Sequence, residues 1–260
     1  MAQTNSRIIS IDEIANDRNI AKIVAYPNPT SEIVEDRISQ LKKSGISSLN
    51  LYGNIGIDRL SVLGKGVVGL VVAATTSDTQ HVALKIRRTD SRRHDMSKEA
   101  TMLRAANEAG VGPKYWDSTK DLLVMDLLHG NRLPIWLEQV RGRGERARLR
   151  TVIRNLFEQT VRLDAYGLDH GELSRAHKNI LVSSTGKTWI VDFESASQMR
   201  RVNNFTSLAQ YLFLGNSFGR KIRRILGPIN SSMLIDYLRM YKSGKTTDAF
   251  LAVKQLLKLE

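Results

Sequence analysis

The stretch Leu168-Asp169-His170-Gly171-Glu172-Leu173-Ser174-Arg175-Ala176-His177-Lys178-Asn179-Ile180-Leu181-Val182, followed shortly by Ile190-Val191-Asp192-Phe193-Glu194, decides how this chain is read. In each piece polar residues adjoin a short run of β-branched and apolar ones, the pattern of a strand joined to a loop. Asn179 and Asp192, thirteen positions apart, offer hard oxygen atoms of the kind that hold magnesium against phosphate. Glu172 adds a carboxylate to the same loop, and His170 and His177 flank it. A packing role is expected for His170, while His177 stays open between surface and ligand.

Further towards the N-terminus, Gly64-Lys65-Gly66-Val67-Val68-Gly69-Leu70-Val71 has the G-x-G-x-x-G-x-V spacing that lets a backbone approach phosphates without an intervening Cβ. The same glycine spacing opens a helix in dinucleotide-binding folds, but the β-branched residues here favour a hairpin. A tight structural turn is the plain alternative. Val82-Ala83-Leu84-Lys85 then ends an apolar strand in a lysine placed to neutralise phosphate charge. Glu99, on the following helix, is the expected ion-pair partner of Lys85, with Glu108 as the alternative. The run from Leu122 to Gly130 resembles the strand that enters the hinge of a protein kinase, which implies Met125 as gatekeeper and backbone groups around Asp126 and Leu128 for adenine. An ordinary buried strand would look the same.

The ordered set resembles the protein kinases, with the H-R-D-L-x-x-x-N loop in an H-G-[DE]-L form and a DFG-type aspartate at the usual distance. The phrases LGKGVVGLVV, VALKIRR, HGELSRAHKN and VDFESAS are similar, over about residues 60–197, to the small serine/threonine kinases of archaea related to the RIO kinases and to the kinase of the KEOPS complex. This resemblance implies an α+β, two-lobed protein-kinase-like fold: an appendage over 1–57, a β-rich lobe over 58–128 and a helical lobe over 129–260. It implies ATP and Mg2+ as cofactors. Gly64, Gly66, Gly69, Val71, Lys85, Glu99, Asp126 and Leu128 would then hold the nucleotide, and Asn179 and Asp192 the metal. Glu172, Lys85, Asn179 and Asp192 would carry catalysis, the transfer of a phosphoryl group to a serine or threonine of a protein or of the chain itself.

Several positions depart from the kinase pattern. Glutamate replaces the usual aspartate at 172 and lies seven residues before Asn179 rather than five; counting back five reaches Ser174. Glu172 is expected to orient the acceptor hydroxyl, with Arg175 or Lys178 on the transferred phosphate. Glu194 replaces the glycine of DFG, which restricts switching of that segment, and no A-P-E sequence follows. A small-molecule kinase, a pseudokinase and an ATPase switch that binds RNA or a protein partner are the competing readings.

Composition sets the outer bounds. The chain has 260 residues, 42% hydrophobic and 25% charged, enough for one large or two-lobed globular unit. With no cysteine, disulfides, thiolate zinc sites and cysteine nucleophiles are excluded. The net charge of +13 is concentrated at 87–94, 141–150 and 220–224, fields that attract polyanions such as RNA or a ribonucleoprotein. A solvated surface is an equally good account of any one run. MAQTNSRIIS lacks a signal-peptide pattern and the longest apolar runs are too short to span a bilayer, so no membrane partner is expected and the cytoplasm is the simplest location. A protein substrate is expected, and the oligomeric state is left open.

Overall fold

The apolar runs Gly69–Thr76 and His81–Arg87 form neighbouring strands, buried at most of their positions. The computed structural model describes residues 7–214 and 217–259. The chain divides into two units: Met1–Arg104 with Pro113–Leu128, and Ala105–Gly112 with His129–Glu260.

The first unit contains β1 (Arg7–Ser10), α1 (Arg18–Val24), α2 (Ser31–Lys43), β2 (Ile46–Leu51), β3 (Ile55–Ile57), β4 (Leu60–Val62), β5 (Gly64–Lys65), β6 (Gly69–Thr76) and β7 (His81–Arg87). It also holds the start of α3 (Ser97–Glu108), followed by β8 (Tyr115–Ser118) and β9 (Leu122–Asp126). Seven strands form one sheet in the order β1-β2-β6-β7-β9-β8, with β5 on β6, while β3 and β4 make a separate hairpin. Strand periodicity sends alternate side chains to opposite faces. Leu70, Val72, Ala74, Val82, Leu84, Ile86, Leu122 and Val124 therefore share one face, and they form a single core with Ile9, Ile14, Ile20, Val24, Leu41 and Leu49. The opposite face carries Val71, Lys85 and Leu123, paired in register across β6, β7 and β9.

The expected boundary near residue 57 thus falls inside one compact unit, because β1 and β2 extend the sheet and residues of the first helices pack into its core. Their local signals are those of the sequence. Ser10 and Glu13 form a capping box, and Thr30 Oγ1 accepts from the Ile33 N–H at 3.3 Å to start α2.

The second unit runs β10 (Asn131–Arg132), α4 (Leu133–Gln139), α5 (Glu145–Tyr166), β11 (Ile180–Val182), β12 (Thr188–Ile190), α6 (Asn204–Phe213), α7 (Ser217–Leu226), α8 (Ser231–Lys242) and α9 (Thr246–Leu257). Its core follows helical spacing: Leu149, Val152, Ile153, Leu156, Phe157 and Leu163 line the buried side of α5, and Phe157 meets the rings of Phe205 and Phe213 edge-on. β10, β11 and β12 form a small antiparallel sheet. Among the described residues no helix is long and apolar enough to cross a membrane.

Candidate active site

On the first unit the glycine-rich stretch is a hairpin. Gly64 pairs with Val71 and Lys65 with Leu70, and the Gly66 N–H donates to Gly69 O at 2.8 Å to close the turn, which leaves Val67 81% exposed at its tip. The helix-opening alternative for these glycines is thereby excluded. The glycines do different work. At Gly69 a Cβ would stand 2.8 Å from Ile86 O and 3.1 Å from Lys85 Cγ, so this glycine permits the close approach of β6 to β7.

Val71 pairs with Lys85 across that approach, and Lys85 is where the predicted ion pair forms. Lys85 Nζ lies 2.8 Å from Glu99 Oε1, with the two side chains only 6% and 4% exposed. Glu108, the alternative partner, instead accepts from the Tyr166 hydroxyl. Asp126 ends β9; its N–H donates to Lys114 O at 2.9 Å and its carboxylate accepts from Trp116 Nε1 at 2.7 Å. No hydrogen bond among the described residues engages the Leu128 N–H, so of these two backbone donors it is the one left for a ligand.

On the second unit the spacing of Asn179 and Asp192 has a simple origin. β11 and β12 pair antiparallel with Ile180 opposite Ile190, so the residue before one strand meets those after the other. The Val191 N–H donates to Asn179 O at 2.9 Å. Asp192 follows with φ 70 and ψ 72, a left-handed backbone that an aspartate holds only at some cost and that clusters at functional sites.

The two extra residues before Asn179 are taken up by a 3-10 turn over Leu173–Lys178, irregular at Arg175, so that Glu172 still reaches its neighbour. Asn179 Nδ2 donates to Glu172 Oε2 at 3.2 Å, and the Ser195 hydroxyl donates to Oε1 at 2.6 Å. The Ser195 bond, more than that from Asn179, holds the Glu172 carboxyl below the usual glutamate range despite partial burial. Ser174, Arg175, His177 and Lys178 all point to solvent on this turn. His170 is fully buried, packs against Phe193 at 5.0 Å between ring centroids and shares a hydrogen bond with Val191 O at 3.0 Å. Burial depresses its pKa and keeps it neutral, which fits the packing role.

Several residues that fix this geometry carry no sequence signal. Asn204 accepts from the His170 N–H at 2.8 Å and donates to Leu168 O at 2.7 Å and to Asp164 Oδ1 at 2.8 Å, which ties the loop to α5 and α6. Arg200 donates to Ser195 O at 2.6 Å and pairs with Asp169 at 3.0 Å. It covers Gly171, whose φ of 86 and lack of room for a Cβ require glycine. Ser195 itself was not singled out by motif spacing.

A family model described as "RIO domain" matches residues 72–212, more than half of the chain. The chain belongs to the RIO domain family. Its α+β fold and its order of motifs are those of this atypical, kinase-like group. An uncharacterized protein of Methanocaldococcus jannaschii is 25% identical over 120 residues, covering 45% of this chain and 98% of the relative. A probable dual specificity protein kinase, a YAK1 homolog from Encephalitozoon cuniculi, is 26% identical over 163 residues. That alignment takes in 58% of this RIO-type chain but spans only 40% of the kinase.

Proposed function

We propose that this RIO-type protein binds ATP with magnesium and transfers the γ-phosphoryl group to a serine or threonine hydroxyl of a protein, itself included. The observation that carries this reading is the contact at Glu172, whose Oε1 accepts a serine hydroxyl at 2.6 Å, the bond an acceptor residue would make. In this reading Glu172 takes the hydroxyl proton as the acceptor oxygen bonds to the γ-phosphorus and the bond to ADP breaks. Lys85, oriented by Glu99, neutralises phosphate charge beside the Gly64–Val71 hairpin, and the Leu128 N–H with backbone near Asp126 holds the base. Asn179 and Asp192 fit a magnesium ion: both offer hard oxygens, and because Asn179 Nδ2 is engaged by Glu172, Oδ1 is the atom left for a cation. Magnesium, when bound, shields the charge of the phosphate oxygens.

The same contact is compatible with a second reading, ATP hydrolysis without a stable phosphoprotein, since the nucleophile that displaces Ser195 from Oε1 can be water as well as a protein hydroxyl. Incubation with γ-labelled ATP and magnesium separates the two. Wild type is expected to place label on protein, Asp192→Ala to lose it, and Glu172→Gln to slow it by about a hundredfold or more. Free phosphate without labelled protein supports the hydrolytic reading, and nucleotide binding with neither product overturns both.

A further inference from the structure

Two of the basic runs, separated in sequence by some seventy residues, meet in the second unit. Arg146 Nε on the first turn of α5 donates to Ile225 O near the end of α7 at 3.0 Å. Lys221 of α7 pairs with Glu138 at the end of α4 at 3.1 Å. Between these contacts the loop before α5 folds on itself, with Arg148 donating to Arg141 O at 3.1 Å and Arg141 donating to Glu138 O at 3.0 Å. α7 turns Gly219 and Ile222 inward and leaves Arg220, Lys221 and Arg224 exposed. The result is one continuous basic face made by the α4–α5 loop, the start of α5 and α7.

We propose that this face binds the sugar–phosphate backbone of a nucleic-acid duplex. Three features select that occupant. The runs 141–150 and 220–224 carry eight arginines and one lysine, with only Arg150 and Arg223 among them half-buried, and the guanidinium fork matches phosphate oxygens two at a time. The opposing acids cancel only a small part of this charge: Glu138 neutralises Lys221, and Glu145 is the one acid within these runs, against eight arginines. Neither 141–150 nor 220–224 contains an aromatic residue, and Phe218 of α7 has a ring face taken up by stacking on Tyr211 at 5.4 Å and 21°, so the described residues of this face offer few rings to unpaired bases. A backbone reader without stacking platforms is suited to paired strands and is indifferent to sequence.

The test uses the full chain and short fluorescent duplexes of RNA and of DNA, a single-stranded RNA and vesicles containing anionic phospholipid, each titrated over a series of salt concentrations. Duplex binding is expected, with the logarithm of affinity falling linearly with the logarithm of salt. Arg143, Arg220 and Arg224 are exposed and make no hydrogen bond or ion pair among the described residues. Changing all three to Gln is expected to reduce that slope by about 2 to 3. Changing Arg18, Lys43 and Arg59 to Gln removes the same charge from exposed positions of the first unit and is expected to leave the slope as it was. ATP turnover should be unchanged in both variants, so this result and the phosphotransfer result stand or fall separately. A preference for RNA or for DNA duplex identifies the source of the phosphates. An equal loss in both variants, tighter binding of the single strand, or binding to vesicles alone overturns the proposal.

Discussion

Glu172 is one methylene longer than the aspartate of the kinase pattern, and the loop behind it is two residues longer, yet these excesses are absorbed in different places. The extra residues coil into the Leu173–Lys178 turn, and the carboxylate is held at both oxygens by Asn179 and Ser195. The sign of its titration follows from those partners. Hydrogen bonds to the charged form lower the folded pKa, so the stability Glu172 contributes is present above the unfolded value of 4.5 and is lost as pH falls through the lower folded value. Ser195→Ala is expected to move the Glu172 titration upward towards an ordinary glutamate, followed by carboxyl-carbon NMR of the folded protein. Ser195→Thr should restore it, and an unchanged titration in the alanine variant would remove Ser195 from the account. The pair Asn179 and Asp192 was legible in the sequence because two short strands fix its spacing. Ser195, Arg200 and Asn204 were not, since their partners lie 23, 31 and 34 positions away and follow no motif.

At the scale of elements, α2 is fastened to the sheet by a buried polar cluster. Asp121, just before β9, takes Arg87 Nε at 2.5 Å and Arg37 at 3.6 Å, and its N–H donates to Gln40 Oε1 at 3.0 Å. Arg37 is 1% exposed and also donates to Val24 O at 2.6 Å, so burial lowers its pKa while Asp121 opposes the shift. Removing the acid would strand a guanidinium away from water. Asp121→Ala is therefore expected to destabilise the first unit by about 3–5 kcal/mol in a denaturant titration. A loss of less than about 1 kcal/mol would show that water reaches Arg37 readily. The helix α2 itself was readable from its Thr30 cap and its apolar spacing. Its attachment was not: an arginine on an amphipathic helix ordinarily reads as surface, and Gln40 and Asp121 are 81 positions apart.

At the scale of the whole molecule, the family match begins at residue 72, inside β6, whereas the sheet to which β6 belongs begins at β1. The apolar character of β6 and β7 announces strands, but not that residues 9–51 complete the core on one face of them. A fragment over 58–260 would lose β2, which pairs with Ala73, Ala74, Thr75 and Thr76, and would bare Val72, Val82 and Leu84. Light scattering is expected to find that fragment aggregated while the full chain is not; a monodisperse fragment with a cooperative melt would contradict this.

Strand β1 has a consequence of another kind. Among the described residues it is the outermost strand on its side of the sheet, only four residues long, and it opens on Arg7, which is tied back to Asp17 at 2.9 Å. A short outer strand that begins with a charge is a poor template for a stranger's backbone. Whether copies of this protein pair along this edge of the sheet is thus governed by residues that lie outside the stretch by which its family is recognised, whereas the opposite edge, β8, lies within it.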